Sequence, residues 1–351
     1  MLEKIIIHIG TEKTGSTSIQ HFLDENAQTL NRSGFHVIQC ASSLNHVKFA
    51  LFACIGEEPT NYLKSNGIHT PSDKQHFNDE FKKDLADEMA NLPHHIHTVI
   101  ISNEHLQSKL TAPQEVENVR DLLSCYAKSI EIICYLREQS SLLNSVYSEY
   151  LKGGHIKPFR DIAAECHLGS PFYNHETLLA RWAGVFSKEK ITVRIFERDS
   201  LYKASLLEDF VHCINASLDF SVFKETVLMN KSLNLKGLKI ALQLNRLLLR
   251  QGENRVSRPI RKIVRKRLEA DFSGNETIIT TSLYKAINNH FEESNARVCR
   301  DYFPDRLALF KQPKNLPDSD QTPDIGLQAY QYFMLVTAQR LLRKPNSKGS
   351  S

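Results

Sequence analysis

The stretch IIIHIGTEKTGSTSIQHFL, residues 5–23, joins an apolar run to an amphipathic one through a short polar loop that contains Gly10 and Gly15. Ile5, Ile6 and Ile7, continued by Ile9, are β-branched and apolar at consecutive positions, as a parallel strand covered on both faces requires. Beyond the loop, Ile19, Phe22, Leu23, Ala27 and Leu30 recur at helical spacing, and Gly34 stands where a left-handed C-terminal cap is wanted. The helix is predicted to begin at Gly15 or Ser16. A Gly-bounded loop feeding a helix N-terminus presents free backbone N–H groups and the positive end of the helix dipole, and Ser16, Thr17 and Ser18 add hydroxyls. The pattern suits an anion.

Strands and helices alternate along most of the remaining chain. FHVI (35–38), TVIIS (98–102), EIICYL (131–136) and ITVRIF (191–196) read as further strands. Between them, helices are predicted over 77–92, stopped by Pro93, over 116–126, over 142–151, closed by Gly153 and Gly154, and around Trp182. Residues 39–70 have no strong period and receive no assignment. The alternation predicts an α/β, P-loop-type three-layer fold: a central, mostly parallel five-stranded sheet flanked by helices, with a helical C-terminal part. In such sheets ligands bind outside the carboxyl ends of the strands. The loop follows the first strand, Glu104 and His105 follow the third, and Arg137 ends the fourth, so one edge of the sheet collects them.

The chain has 351 residues, 41% hydrophobic and 24% charged, which is ordinary for a globular protein with one large core or two modest ones. No apolar run approaches a transmembrane span, and the N-terminus carries an acid and an immediate strand where a leader would be basic and then apolar. A cytoplasmic location is the expectation. The seven cysteines are odd in number, scattered and without a C-x-x-C pair, so neither a disulfide framework nor a metal site is expected. A net charge of +4 is too small to imply nucleic acid.

The identity of the anion turns on the lysine. In the Walker loop, G-x-x-x-x-G-K-[ST], the lysine follows the second glycine. Here Gly10 and Gly15 keep the glycine spacing, but Ser16 and Thr17 fill the Lys-Ser/Thr positions and Lys13 lies inside the loop. The order Lys13-Thr14-Gly15-Ser16-Thr17 closely resembles the 5′-phosphosulfate loop of the sulfotransferase family, which binds 3′-phosphoadenosine 5′-phosphosulfate (PAPS) and needs no metal. The family usually has two threonines where this chain has Ser16-Thr17. A second likeness lies in YLREQSSLLNSVYSEYLKGG. Sulfotransferases place an arginine at a strand end and a serine eight residues later on the next helix, as Arg137 and Ser145 are placed here. The resemblance implies that this pair binds the 3′-phosphate of the donor, and an arginine fork matches a phosphate in shape and charge. Weaker likeness to bacterial carbohydrate sulfotransferases extends to about residue 310, through Glu197 and a helix from about Leu201, Asn230-Lys231-Ser232-Leu233, and SNARVCRDYFPDRLALF.

Transfer of a sulfuryl group to a hydroxyl needs charge on the leaving phosphate offset, the acceptor oxygen deprotonated, and both held in line. Lys13 is the candidate for the first role, with Thr14, Gly15, Ser16 and Thr17 holding the phosphosulfate. Glu104 is the candidate base and His105 its rival, because the family takes a His or Glu base from the equivalent strand end; successive residues leaving a strand point to opposite sides.

Residues 246–267 are crowded with Arg246, Arg250, Arg255, Arg258, Arg261, Lys262, Arg265, Lys266 and Arg267, and helix is expected on either side of Pro259. This segment is read either as a contact for an acidic glycan or an anionic membrane surface or as a solvated helical face. The expected organisation is a domain over 1–310 with a helical extension at about 230–300, a Pro- and Asp-rich linker over 311–326, and a terminal helix and disordered tail over 327–351. The resemblance implies a bacterial-type enzyme that sulfates a carbohydrate or glycolipid hydroxyl or amine and releases 3′-phosphoadenosine 5′-phosphate (PAP). Its rivals are a P-loop small-molecule kinase and a non-catalytic nucleotide-binding protein.

Overall fold

The computed structural model describes residues 1–41, 44–224, 232–250, 258–274, 276–313 and 316–318, the side chains of 258–261 excepted. The expected terminal helix and tail, most of the expected linker, and Arg255 lie outside these residues. Five parallel strands, β1 (Leu2–His8), β2 (Phe35–Val37), β3 (Thr98–Ser102), β4 (Ala127–Leu136) and β5 (Ile191–Ile195), form one sheet in the order β2-β3-β1-β4-β5. The described helices are α1 (Ser16–Glu25), α2 (Ala27–Arg32), α3 (Lys48–Ala53), α4 (Asn61–Ser65), α5 (Pro71–Ala90), α6 (His105–Lys109), α7 (Pro113–Leu123), α8 (Gln139–Lys152), α9 (Phe159–Ala163), α10 (His175–Phe186), α11 (Leu206–Ile214), α12 (Leu235–Arg250), α13 (Arg258–Phe272) and α14 (Thr281–Tyr302).

The chain divides into two compact units. The first comprises the described residues of Met1–Glu138, Leu168–Met229 and Glu292–Lys311, and it contains the whole sheet. Its consecutive isoleucines alternate between the two sheet faces. Ile5, Ile7 and Ile9 join Ile101, Ile132 and Cys134 beneath Phe49, Phe81, Val116 and Trp182. Ile6, with Ile100, Ile133 and Tyr135, faces Ile19, Phe22 and Phe210 from α1 and α11. Both clusters exclude water, and each fully buried side chain of this size contributes about 1.5–3 kcal/mol.

Local chemistry moves several boundaries. The first helix is not continuous to Gly34, because Asn26 bonds elsewhere: its Nδ2 donates to the Phe22 and Lys224 carbonyls at 3.0 and 3.2 Å, and its Oδ1 accepts from the Lys224 amide at 2.8 Å. Gly34 does adopt the left-handed conformation, at φ 87°. The second predicted helix begins earlier than its apolar period, at Pro71, where Thr70 and Asp73 form a reciprocal capping box. Residues 39–70 contain α3 and α4. The helix expected from Leu201 begins instead at Leu206, where the Ser205 side chain accepts from the Glu208 amide.

The second unit comprises the described residues of Gln139–His167, Asn230–Phe291 and Gln312–Ser351. In it the Lys152 ammonium, buried on α8, bridges Glu149 at 3.1 Å and Glu269 of α13 at 3.0 Å, and Arg265 bonds the same two carboxylates. Asn245 of α12 donates to the Leu151 and His155 carbonyls at 2.8 and 2.9 Å, capping the end of α8. Arg265 and Arg267, the latter paired with Asp271, are thus matched by acids, whereas Lys262 and Lys266 are exposed. Pro259 falls in the first turn of α13, a position that needs no amide proton.

Candidate active site

The connection after β1 leads toward β2 on one side, and the connection after β4 leads to β5 on the other. A crevice opens at the carboxyl ends of such a strand pair. The loop after β1 is bound into the sheet at its start: the Thr11 amide and hydroxyl donate to the Tyr135 carbonyl at 2.9 and 3.0 Å, and the Tyr135 amide donates to Gly10 at 2.6 Å. The Thr14 and Ser16 hydroxyls both turn inward to the Thr11 carbonyl, at 2.6 and 3.3 Å. Ser16 therefore offers a ligand its amide more readily than its hydroxyl proton.

Gly15 caps α1 in the left-handed conformation, φ 81°, with no side-chain cap and no acid in the first turn. Among the described residues, the amides of Thr14, Gly15, Ser16 and Thr17 have no hydrogen-bond partner. They are the donors a helix start leaves over. A Cβ on Gly15 would stand 2.3 Å from Leu206 Cδ2 and 3.4 Å from Phe196, so the loop is packed against α11 and the residue that follows β5 as closely as a backbone allows. Lys13 is itself left-handed, at φ 64°, a conformation that costs a non-glycine residue about 1 kcal/mol or more.

Arg137 holds that turn. Its Nη1 donates to the Lys13 carbonyl at 2.7 Å, its guanidinium lies 5.6 Å from the Phe196 ring centroid, and its own carbonyl accepts from His175 Nε2 at 2.8 Å. Burial lowers its pKa to about 10, against the opposing pull of Glu138, so it is a cation at neutral pH. Its other N–H groups bond no described residue. Lys13 and Arg137 thus come together, and Ser145 lies buried on α8 of the second unit.

Glu104 and His105 leave β3 toward different partners. A Cβ on Gly10 would sit 3.1 Å from the Glu104 Cβ, and Gln20 Nε2 of α1 donates to Glu104 Oε2 at 2.6 Å, so this carboxylate lies against the loop and the helix it starts. His105 Nδ1 is 2.9 Å from the Tyr62 hydroxyl of α4. Gln20 and Tyr62 carried no signal in the sequence: an α1 glutamine reads as helix surface, and Tyr62 lies in the stretch without a period.

A buried framework steadies the crevice from behind. Asp209 of α11, inaccessible to solvent, accepts from the Tyr135 hydroxyl at 2.8 Å, from Arg194 Nε at 3.0 Å and also from Arg194 Nη2, and from the Tyr202 amide at 2.7 Å. His8, at the end of β1, is fully buried, bonds Ser102 at 2.8 Å, and is pushed down to about 3 by burial, so it is a neutral structural group. No described helix is long and apolar enough to cross a membrane.

No family model matches the sequence. An uncharacterized protein of Archaeoglobus fulgidus is 25% identical over 200 residues, 53% of this chain and 52% of that protein, so the chain spans about half the length of the curated relative it matches. The crystal structure of a sulfotransferase from Alicyclobacillus acidocaldarius is similar at a TM-score of 0.42 and 12% identity, over 86% of this chain and 96% of that one.

Proposed function

We propose that this chain is a PAPS-dependent sulfotransferase acting on a hydroxyl or amine of a carbohydrate or glycolipid. The observation that carries the reading is the loop: unbonded amides at Thr14, Gly15, Ser16 and Thr17, a lysine inside the turn, and an arginine cation fixed to that lysine's carbonyl. Free amides beside a cation favour a multiply charged anion. The loop amides and the Thr17 hydroxyl hold the 5′-phosphosulfate, and Arg137 takes the 3′-phosphate. Glu104 accepts the acceptor's proton as the acceptor oxygen bonds sulfur. The bond from sulfur to the bridging oxygen breaks, its electron pair stays on the phosphate, and the Lys13 ammonium offsets that charge. The exposed Lys262 and Lys266 suit an acidic glycan or an anionic surface.

Calorimetric titration with PAP and, separately, with magnesium-ADP tests the reading. Micromolar binding of PAP, about −8 kcal/mol, falling about 100-fold in Arg137→Ala through loss of a charge-assisted pair, is the expected result. Tighter binding of magnesium-ADP, indifferent to Arg137, would replace the sulfotransferase by the kinase. PAP binding without any PAPS turnover would leave a nucleotide-binding protein.

A further inference from the structure

Glu104 and His105 are neighbours in sequence, both half-buried, and both chemically able to take a proton. The partners that hold them differ in kind. Gln20 Nε2 can only donate, and it does so to one oxygen of Glu104 at 2.6 Å, which leaves the second oxygen to act. His105 has a hydroxyl beside Nδ1, the Tyr62 phenol at 2.9 Å.

A phenol–imidazole contact has two directions. If His105 donated from Nδ1, the Tyr62 proton would need another acceptor, and no described residue accepts it. Burial, reinforced by the charges of Cys54, Glu104 and Glu12, pushes the phenol up, so Tyr62 keeps its proton. The ring is also held in place: it meets the imidazole edge-on at 5.3 Å, and the Lys109 ammonium lies 5.5 Å from its centroid. A phenol that donates makes Nδ1 the acceptor, and the one proton of a neutral imidazole then sits on Nε2. Among the described residues nothing else bonds the His105 ring.

We propose that Tyr62 fixes His105 as its Nε2–H tautomer, a hydrogen-bond donor that orients the acceptor oxygen, while Glu104, held by Gln20, takes the proton. Tyr62 and Gln20 are positioning residues in this scheme, and the roles given to His105 and Glu104 rest on the sulfotransferase reading. The tautomer itself does not.

The test is long-range proton–nitrogen correlation NMR on the full chain labelled with nitrogen-15 histidine, the His105 signals being those lost in His105→Gln. A protonated Nε2 beside a pyridine-type Nδ1 is expected, collapsing to an average of both tautomers in Tyr62→Phe. A protonated Nδ1 in the wild type, or a pattern unmoved by Tyr62→Phe, overturns the proposal. The roles are read from PAP release during PAPS hydrolysis, with water as the acceptor. Glu104→Gln should slow it about 100-fold or more, His105→Gln and Tyr62→Phe about 10-fold or less, and the reverse ranking overturns the assignment. Wild-type protein that neither binds PAP nor hydrolyses PAPS refutes the sulfotransferase reading and the roles drawn from it, a result distinct from the wrong tautomer.

Discussion

Replacing Asp209 by alanine should destabilise the first unit by about 3–5 kcal/mol, the cost of breaking a buried ion pair from one side. The figure can be built from the groups left behind. The Tyr135 hydroxyl, 2.8 Å from Asp209 and fully buried, loses its acceptor at about 1–3 kcal/mol. The Tyr202 amide, bonded at 2.7 Å, adds about 1 kcal/mol. Arg194, whose side chain remains 28% exposed, can recover water and adds about 1 kcal/mol rather than the full penalty of a buried charge. Tyr135→Phe alone should cost about 1 kcal/mol, because Asp209 keeps its other donors. In the double variant no hydroxyl is orphaned, so the total should fall short of the sum by about 1–2 kcal/mol. Urea unfolding followed by the fluorescence of Trp182, the single tryptophan and fully buried in the first unit, reads this directly. Asp209→Ala costing under about 1 kcal/mol, or strict additivity with Tyr135→Phe, would refute the account of α11 as pinned through this carboxylate.

Gly15→Ala forces alanine into a left-handed turn, at about 1 kcal/mol, and presses on Leu206, so stability should fall by about 1–2 kcal/mol while PAP affinity falls more than 10-fold; adding Leu206→Ala should restore part of the first and little of the second, and unchanged affinity would remove the loop from the anion site. Glu88 sets an acid-sensitive joint. Burial pushes its carboxyl up, but hydrogen bonds from His36 and from the Cys40 and Gln39 amides outweigh this and hold it at about 2 against an ordinary 4.5. A depressed carboxyl stabilises fully above its unfolded pKa, so this contribution, at most about 3 kcal/mol before solvent screening, should disappear as pH falls from 4.5 to about 2. Unfolding curves of wild type and Glu88→Gln should therefore converge across that window, and a constant gap would contradict the linkage. In the second unit, Lys152→Met leaves Glu149 and Glu269 facing one another with Arg265, at about 3 kcal/mol, so hydrogen exchange in α8 and α13 should quicken; unchanged protection would show that the bridge carries no stability.

The sheet was legible because its signals are local. Three consecutive isoleucines at 5–7 declare a strand covered on both faces, and β3 occupies the same residues, 98–102, that its pattern predicts. What escaped depends on contacts distant in the chain. Asn26 ends α1 through a partner 198 residues away, a bond that no window around residue 26 contains. The helices α3 and α4 are too short, at 6 and 5 residues, to display a period. The same holds at the site. Lys13, Gly15 and Arg137 stand out as candidates by residue type and place, whereas Gln20 and Tyr62 become candidates only when the fold lays them beside Glu104 and His105. Sequence distinguishes these last two poorly for a physical reason: at a strand end the facing of each residue is set by the adjoining turn, here a helix of 5 residues.

The central place of β1 also bears on how the chain reaches this fold. The strand precedes both of its neighbours, and its contacts lie far along the chain: His8 meets Ser102 across 94 residues, and Thr11 meets Tyr135 across 124. Until β3 and β4 have been synthesised, Ile5, Ile6, Ile7 and Ile9 form an unpaired, uncharged β-branched segment, the kind of edge that pairs with other chains. Closing such long loops is slow, and during translation the delay is set by the ribosome, at about 5–20 residues per second. β1 is therefore an aggregation-exposed part of the nascent chain. Slower, cooler synthesis or a chaperone that shields its first residues should raise the yield of folded protein more than any substitution in the finished core.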